Sequence, residues 1–246
     1  MKSYTVLLST LSLCFPILSY ASTNCEDQIT VLYHERTPYA ITTSSSVDGL
    51  TATPAKHAFQ QAGVEFHWQK TPVKRELLLI ENNIGCLCSI GWFKNPDREK
   101  FARYTDSIYQ DKPQVAITSA QNESLQAGLP LRAAFNNKSL ALLVKDGYSY
   151  GTFIDQAIEQ YQPMRSKVLY DNLKMLSLIY HQRYDYFFIA PEEINYLIAS
   201  SKFKNSDFKI VPFNDIPDGE KRHIICNKNV PEDTIRRLNS NIPTSP

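Results

Sequence analysis

Short apolar segments alternate with amphipathic ones through the first half of the chain. Apolar residues fill Ile29–Tyr33, alternate with polar residues over 64–69, and form a continuous run over 87–90, which predicts three strands. Residues 51–63 have helical character and end at a glycine, and 74–82 place apolar residues at helical spacing. This order of strand and helix predicts a mostly parallel sheet with short crossovers.

The same pattern restarts in the second half. A glycine-bounded turn at 147–151 leads into a predicted helix at 153–161, and 231–238 predicts a closing helix. Further strands are predicted at 115–118, 139–144, 167–170, 184–189, 208–211 and 223–226. Two successive α/β units predict an α/β fold of two lobes, with lobe one at 22–118 and 220–246 and lobe two at 119–219. Ligands of such folds bind at strand ends between lobes.

The first residues have the features of an export signal. Lys2 is followed by a mostly apolar run at 6–18, and small residues stand at Ser19 and Ala21. The run is too short for a membrane span, although a membrane anchor is the competing interpretation. Residues 1–21 are therefore interpreted as a signal peptide, and the mature protein, from about Ser22, is expected to be exported.

The charge balance and the motif content exclude several functions. The chain has 26 basic and 25 acidic residues and no long basic stripe, so nucleic acid and anionic membranes are poor partners. No catalytic motif such as G-x-S-x-G, H-E-x-x-H or a P-loop is present, and the five histidines show no metal-ligand spacing. The sequence therefore predicts neither an enzyme nor a cofactor or metal site.

Four cysteines follow the predicted signal peptide: Cys25, Cys86, Cys88 and Cys226. An even number in an exported chain favours disulfides, and the three possible pairings stay open on these grounds. Zinc is the competing interpretation. The one-residue gap between Cys86 and Cys88 argues against it, because the two side chains would point to opposite faces of a strand.

One segment, GCLCSIGWFKNPDREKF (85–101), is unusual for a simple strand-to-loop junction. We expect Gly91 to end the strand, and Trp92 and Phe93 to be exposed and to wall an apolar slot together with Tyr39. The guanidinium of Arg98 suits an anionic ligand group, although a solvated arginine is the plainer interpretation. The turn at 147–151, with Ser149 and Tyr150, opens a helix whose free N–H groups favour an anion or a carbonyl.

These segments resemble the bacterial extracellular solute-binding proteins of the polar amino acid type. Residues 91–100 are similar to the family's Gly, short loop, Pro-Glu-Arg stretch, and 105–109 to the "Phe-Ser-x-Pro-Tyr" element that follows it. Further similarities lie at 48–50, at 145–151 and at 183–187, the last resembling the "Gly-Arg-x-Asp-Ala" strand. The resemblance runs from about Pro38 to Leu238 and implies a two-lobed periplasmic receptor of an ABC importer.

The resemblance also implies roles for individual residues. Arg98 matches the arginine that binds the ligand α-carboxylate, and Tyr39 matches an aromatic that stacks on the ligand. The family's ammonium-binding acid falls on Ala190 here, so Glu192 is expected to replace it, or the ligand is not an α-amino acid. The family's strand arrangement further implies the disulfides Cys25–Cys86 and Cys88–Cys226.

The function that follows is capture of a small polar, carboxylate-bearing, amino acid-like solute by a monomer that delivers it to an ABC permease. Lobe two is expected to close over the solute, which it would contact through the 147–151 turn and residues 191–193. Two alternatives stay open: a periplasmic lyase or dehydratase that uses Glu192 or Glu193 as acid and base, and the ligand-sensing partner of a separate membrane signalling protein.

Overall fold

The computed structural model describes Cys25 and residues 28–243. The predicted signal peptide at 1–21 lies outside these residues. None of the helices within the described part of the chain is long and apolar enough to cross a bilayer.

The first lobe is built from the first half of the chain. Its apolar strands are buried against helices that pack alanine and aromatic side chains, so that Ala52, Ala55, Ala58 and Phe59 of one helix are buried. Its elements are β1 (Ile29–Tyr33), β2 (Ile41–Thr42), β3 (Val47–Asp48), α1 (Ala52–Gln61), β4 (Phe66–Lys70), α2 (Val73–Glu81), β5 (Leu87–Phe93), α3 (Pro96–Glu99) and β6 (Ala102–Gln110).

The second lobe follows without interruption, and its strand Tyr186–Ile189 is buried at every position, as a strand covered on both faces must be. Its elements are β7 (Val115–Ser119), α4 (Leu131–Asn136), β8 (Leu142–Lys145), α5 (Thr152–Tyr161), β9 (Arg165–Val168), α6 (Asn172–Tyr180), β10 (Tyr186–Ile189), α7 (Pro191–Ala199), a short 3-10 helix (Asn205–Asp207) and β11 (Phe208–Val211). The chain then returns to lobe one as β12 (Lys221–Asn227) and α8 (Glu232–Asn239).

Each lobe contains one five-stranded sheet, in the order β4-β1-β5-β12-β6 in lobe one and β11-β7-β10-β8-β9 in lobe two. Strand β1 pairs parallel with β4 and β5, and β8 pairs parallel with β9 and β10. Within these two five-stranded sheets, the antiparallel pairs all involve β12 or β7, the first strand after each passage between lobes, and β2 and β3 form a separate antiparallel pair. The two-lobed α/β fold is therefore confirmed.

Two expectations about the strands need correction. Strand β6 was not expected at all, and it pairs with β12 at the edge of the first sheet. Strand β7 belongs to the second sheet, where it pairs with β10 and β11, so the first passage between lobes is at 111–114 and residue 118 is not in lobe one. The return passage lies between β11 and β12, which contains the expected boundary at 219–220.

Gly91 does not end the strand, because β5 continues through Trp92 to Phe93. On β12, His223 pairs with Trp92 and Ile224 pairs with Ile90, which leaves Gly91 as the extra residue of a β-bulge. Its φ of +81° lies in the left-handed region that glycine adopts readily. The bulge changes the alternation of side chains, so Trp92 packs with Leu87 and not with Cys88 and Ile90.

The structure contains the disulfides Cys25–Cys86 and Cys88–Cys226, the pairing that the resemblance implied. The first bridge joins the segment before β1 to the residue before β5, and the second joins the neighbouring central strands β5 and β12. Cys88 and Cys226 are fully buried in the core of lobe one. The strand returning from lobe two is thus covalently attached to the centre of lobe one.

Candidate functional site between the lobes

A cavity lies between the two lobes, with about 350 Å³ of space including its opening to solvent. Its walls carry basic and aromatic side chains from lobe one and a glycine-containing turn from lobe two. The lining residues are His34, Arg36, Val73, Gly91, Trp92, Phe93, Arg98, Gly147, Tyr148, Ser149 and Arg222. Among the described residues that line it, none is an aspartate or a glutamate.

The indole of Trp92 forms one wall, and a chain of hydrogen bonds beneath it fixes its position. Its Nε1–H donates to Ser89 Oγ at 2.6 Å, and that hydroxyl donates to Oε2 of the fully buried Glu76, also at 2.6 Å. Glu76 comes from α2 and Ser89 from β5. The bulge at Gly91 makes this chain possible, because it turns Trp92 to the face of the sheet that carries Ser89.

His34 follows β1 and lines the same wall. Its Nδ1 lies 3.2 Å from Oε1 of Glu76. Because a carboxylate only accepts hydrogen bonds, Nδ1 donates here and Nε2 is the remaining ring nitrogen. That Nε2 is buried and has no hydrogen-bond partner among the described residues.

Arg98 is positioned by the short helix α3. Asn95 caps this helix by accepting a hydrogen bond from the backbone N–H of Arg98 at 2.9 Å, and Pro96 occupies its first turn. The side chain donates from Nη1 to the carbonyl of Phe93 at 3.1 Å, and its Cζ lies 4.9 Å from the Trp92 ring centroid. Burial lowers the pKa of Arg98, and no carboxylate within the described chain forms an ion pair with it.

Arg222, at the start of β12, is buried and already bound. Its Nε and Nη2 donate to both carboxylate oxygens of Asp111 at 2.6 Å, and its Nη1 donates to the carbonyl of Gly91 at 2.8 Å. The guanidinium lies over the rings of Tyr39 and Phe93, with Cζ 4.3 and 4.4 Å from their centroids. It therefore serves as a structural cation in the floor of the cleft.

Tyr39 is consequently placed away from the cavity. Arg36 lies over its ring at 4.8 Å in addition to Arg222, the ring of Tyr109 packs edge-on at 5.9 Å, and only 3% of the residue is exposed. Burial raises the pKa of the Tyr39 hydroxyl. The structure thus gives Tyr39 a packing position beneath the cleft, where the side chain does not line the cavity.

The turn from lobe two brings Ser149 to the cavity but not as a free hydroxyl. Ser149 Oγ and the Tyr150 backbone N–H both donate to the carboxylate of Asp155, one turn into α5. The Thr152 backbone N–H donates to Glu220 Oε1 at 2.7 Å. The N-terminus of α5, expected to favour an anion, is thus already bound by two carboxylates of the protein, Asp155 and Glu220.

The two acids that open α7 have different surroundings. Oε1 of Glu192 accepts hydrogen bonds from the Tyr109 hydroxyl at 3.1 Å and from the Lys112 backbone N–H at 2.8 Å, so this carboxylate lies beside the passage between lobes. Glu193 faces the cleft, where Arg36 Nε and Nη2 donate to its two oxygens at 2.8 and 2.7 Å. Burial alone would raise the pKa of Glu193, but the charge and hydrogen bonds of Arg36 hold it below its usual value.

No family model and no curated protein matches the chain. Solved structures do match along most of its length. An ancestral arginine-binding protein bound to arginine matches with 15% identity and a TM-score of 0.68, over 89% of this chain and 92% of that chain. A structure from work on glutathione import via GshT and the cystine ABC importer TcyBC of Streptococcus mutans matches with 12% identity and a TM-score of 0.68, over 87% of each chain.

The VFT2 domain of Bordetella pertussis BvgS also matches, with 13% identity and a TM-score of 0.67, over 89% of this chain and 88% of that chain. Each of the three matches extends over 87% or more of this chain. The chain has the two-lobed Venus flytrap fold. The fold that the resemblance implied is therefore confirmed.

The cleft of this Venus flytrap fold collects some of the expected residues and not others. Arg98, Trp92, Phe93 and Ser149 line the cavity, with Trp92 and Phe93 less than 10% exposed and not exposed as expected. Tyr150 lies just behind them, where its hydroxyl accepts a hydrogen bond from the Lys145 backbone N–H at 2.8 Å. Glu192 and Tyr39 do not line the cavity.

His34, Arg36 and Arg222 were not among the residues expected in this site, and Tyr148 was expected only as part of the 147–151 turn. Arg36 stands two residues before Pro38, in the loop after the first strand that was expected to face the cleft, so its position was available as a signal. Arg222 could not be found this way, because it reaches the cleft from the return strand β12. Its partner Asp111 is 111 residues away in the chain.

Proposed function

We propose that this protein captures a small carboxylate-bearing solute between its two lobes, with Arg98 binding the carboxylate. One observation carries the proposal. Of the three arginines that line the cavity, Arg36 and Arg222 each bind a carboxylate of the protein, and Arg98 alone has none within the described chain. A half-buried guanidinium with an open side is a strong receptor for a ligand carboxylate, because it can form two parallel charge-assisted hydrogen bonds.

The solved structures with this fold support capture of a small solute. One is an arginine-binding protein with arginine bound, and another comes from work on glutathione import by an ABC importer. We place the present chain in the same role: a monomeric periplasmic protein, exported by the signal peptide at 1–21, that hands an amino acid-sized solute to an ABC permease. The BvgS domain supports the second role, in which a separate membrane sensor reads the protein.

Closure of the two lobes is the step that traps the solute. Gly147, Tyr148 and Ser149 of lobe two would cover a ligand held by Trp92 and Arg98 of lobe one. A solute that contacts both lobes favours the closed form by its differential affinity for that form. A permease or sensor then distinguishes the closed form from the open one.

The lyase alternative has weaker support from the geometry. It assigned acid–base chemistry to Glu192 or Glu193. Glu192 is bound to Tyr109 and Lys112 beside the lobe passage, and both oxygens of Glu193 are bound by Arg36. A general base must reach the substrate proton, and neither carboxylate is free to do so.

The test is a thermal-shift screen of residues 22–246 with amino acids and small carboxylates, followed by calorimetric titration of each ligand that stabilises the protein. A ligand at a hundred times its dissociation constant adds about 2.7 kcal/mol to the free energy of unfolding. Arg98→Ala should weaken binding by about tenfold to a hundredfold, the effect of losing a charge-assisted hydrogen-bond pair.

The matched control is Arg132→Ala, which removes an exposed arginine of α4 in the other lobe and should leave the affinity unchanged. Full affinity in Arg98→Ala would reject the proposed carboxylate site. A product that forms only in the presence of the protein would instead support the lyase.

A further inference from the structure

We infer that the ligand is a small dicarboxylate: a solute with an acidic group at each end and no ammonium group. The inference rests on the proposed function and names the ligand class for the same cavity. Three features carry it: the charge of the cavity lining, the occupation of Glu193, and the free ring nitrogen of His34.

The charge of the lining opposes a ligand ammonium. The cavity presents four basic side chains and, among its described lining residues, no aspartate or glutamate. Asp111, Glu193 and Glu76 are bound to Arg222, Arg36 and His34 behind the wall, and Asp155 is bound by Ser149 and the Tyr150 N–H, so Arg98 is the basic lining residue without a bound carboxylate among the described residues. An ammonium in this space would lose its hydration, meet no carboxylate and stand beside Arg98, and such like-charge contact selects against a ligand.

Glu193 is a carboxylate of lobe two that faces the cleft, and it is already bound within the protein. Arg36 of lobe one holds both of its oxygens, and Glu193 is 5% exposed. A ligand ammonium could bind Glu193 only by displacing this guanidinium, which would leave a buried charge without its partner. In effect, Arg36 takes the place that the positive group of an amino acid would need.

His34 offers a second site for an anion. Glu76 holds Nδ1, and Nε2 belongs to a cavity-lining residue and has no partner among the described residues. In the imidazolium form both ring nitrogens donate, so Nε2–H can donate to a ligand carboxylate while Nδ1–H donates to Glu76.

The two anion-binding groups are close enough for one short ligand. Both lie beside the Trp92 ring, with Arg98 Cζ at 4.9 Å from its centroid and the His34 ring centroid at 6.5 Å. The apolar indole that both groups contact suits the methylene chain of a dicarboxylate. Tyr148 of lobe two, whose ring lies 6.5 Å from that of His34, closes over the same end.

The experiment compares matched ligands by calorimetric titration of the wild-type protein. The series contains the unbranched dicarboxylates from malonate to suberate, together with the pairs succinate and L-aspartate, glutarate and L-glutamate, and the monocarboxylate butyrate. We expect the best dicarboxylate to bind at least about tenfold more tightly than its amino acid counterpart and than butyrate, the effect of one charge-assisted contact.

The variant that tests the second anion site is His34→Asn. The asparagine amide can still donate to Glu76, but no atom reaches the position of Nε2, so the best dicarboxylate should fall to the affinity of butyrate. The control His67→Asn changes an exposed histidine of β4 and should have no effect. Thermal unfolding of both variants shows whether each is folded before it is titrated.

The possible outcomes separate the two proposals. Tighter binding of L-aspartate or L-glutamate than of the matched dicarboxylate overturns the inference and leaves the carboxylate-binding function intact. Equal loss of dicarboxylate and butyrate affinity in His34→Asn also overturns it. Binding that survives Arg98→Ala rejects the carboxylate site itself, and failure of the whole series to bind rejects both.

Discussion

Glu35 is a single carboxylate that joins three parts of lobe one. Its Oε1 accepts from the Thr42 backbone N–H at 3.0 Å, and its Oε2 accepts from the Thr42 hydroxyl and from Lys70 Nζ, the latter at 2.9 Å. Burial alone would raise the pKa of Glu35, but these hydrogen bonds and the charge of Lys70 lower it from 4.5 to about 2. The residue thus attaches the loop after β1 to β2 and β4.

Glu35→Gln should change how stability depends on pH. Because the folded state lowers this pKa, the carboxylate stabilises the protein above about pH 4.5, and the contribution is lost as the pH falls toward 2. Solvent reaches 36% of the side chain, so the contribution is about 1 kcal/mol or less. Urea unfolding should show that the variant is less stable than wild type at pH 6 and equal to it near pH 2.

Glu65→Gln removes an exposed carboxylate of the same lobe and serves as the control. A wild-type advantage that persists unchanged at pH 2 would show that Glu35 acts through its shape and not through its charge.

The residues found from sequence are those near one another in the chain. Trp92 and Phe93 end a single strand, Arg98 follows it closely, and this segment carries a motif. The hydrogen-bonded pairs His34–Glu76, Arg222–Asp111 and Arg36–Glu193 join residues 42, 111 and 157 positions apart. Such pairs decide which side chains remain free for a ligand, and nothing local in the sequence indicates them.

Among the elements, β5 shows how one glycine determines the positions of the side chains around the cavity. The bulge at Gly91 places Trp92 over Ser89 and gives its own carbonyl to Arg222. A Cβ at this position would lie 3.4 Å from Thr51 Oγ1, in addition to the cost of the left-handed backbone. The strand was predicted from its apolar run, but the bulge was not, because a glycine after such a run also fits a strand end.

Gly91→Ala should therefore cost both stability and binding. The left-handed backbone costs about 1–2 kcal/mol for a residue with a Cβ, and flattening the bulge would turn Trp92 away from the cavity. The matched variant is Gly85→Ala, at φ +62° with open space around its Cβ, which should lose similar stability and keep its ligand affinity. Equal affinity in both variants would show that the bulge does not position the site.

Strand β6 was missed for a related reason. Its sequence, ARYTDSIYQ, has buried residues at the first, fourth and seventh positions, so it lacks the simple alternation of a strand with one buried face. The two irregularities in its pairing with β12 explain the pattern, since each one changes which face the following residues present. The lobe boundary was placed too late in the chain because the strand that completes lobe one was not recognised.

For the whole molecule, contacts across the cleft hold the lobes together. Arg36 binds Glu193 and Lys74 of α2 binds Asp146 at 2.5 Å, while Thr152 of lobe two donates to Glu220 in the return passage. The Arg36–Glu193 pair is the most buried of the interlobe ion pairs in the described chain. It joins the two lobes directly through protein atoms.

Glu193→Gln should shift the ligand-free protein toward an open form. The variant removes the carboxylate charge that Arg36 binds. The closed form is then weaker by about 1–3 kcal/mol relative to an open form in which water solvates Arg36. Small-angle scattering should show a larger radius of gyration than wild type, reduced again by saturating ligand. Glu159→Gln removes a carboxylate whose partner Arg165 is in the same lobe, and it should leave the radius unchanged. An unaltered radius in Glu193→Gln would mean that this pair does not control closure.

The position of β12 has a consequence for the order in which the chain is made. This strand lies between β5 and β6, yet it emerges only after all of lobe two has been synthesised. During that interval Cys25, Cys86 and Cys88 are present without Cys226, whose partner Cys88 is 138 residues earlier. In an oxidising compartment, three thiols compete for one bond, and the correct early product leaves Cys88 free. An early bond that uses Cys88 must therefore be reversed by thiol–disulfide exchange before Cys88 can pair with Cys226.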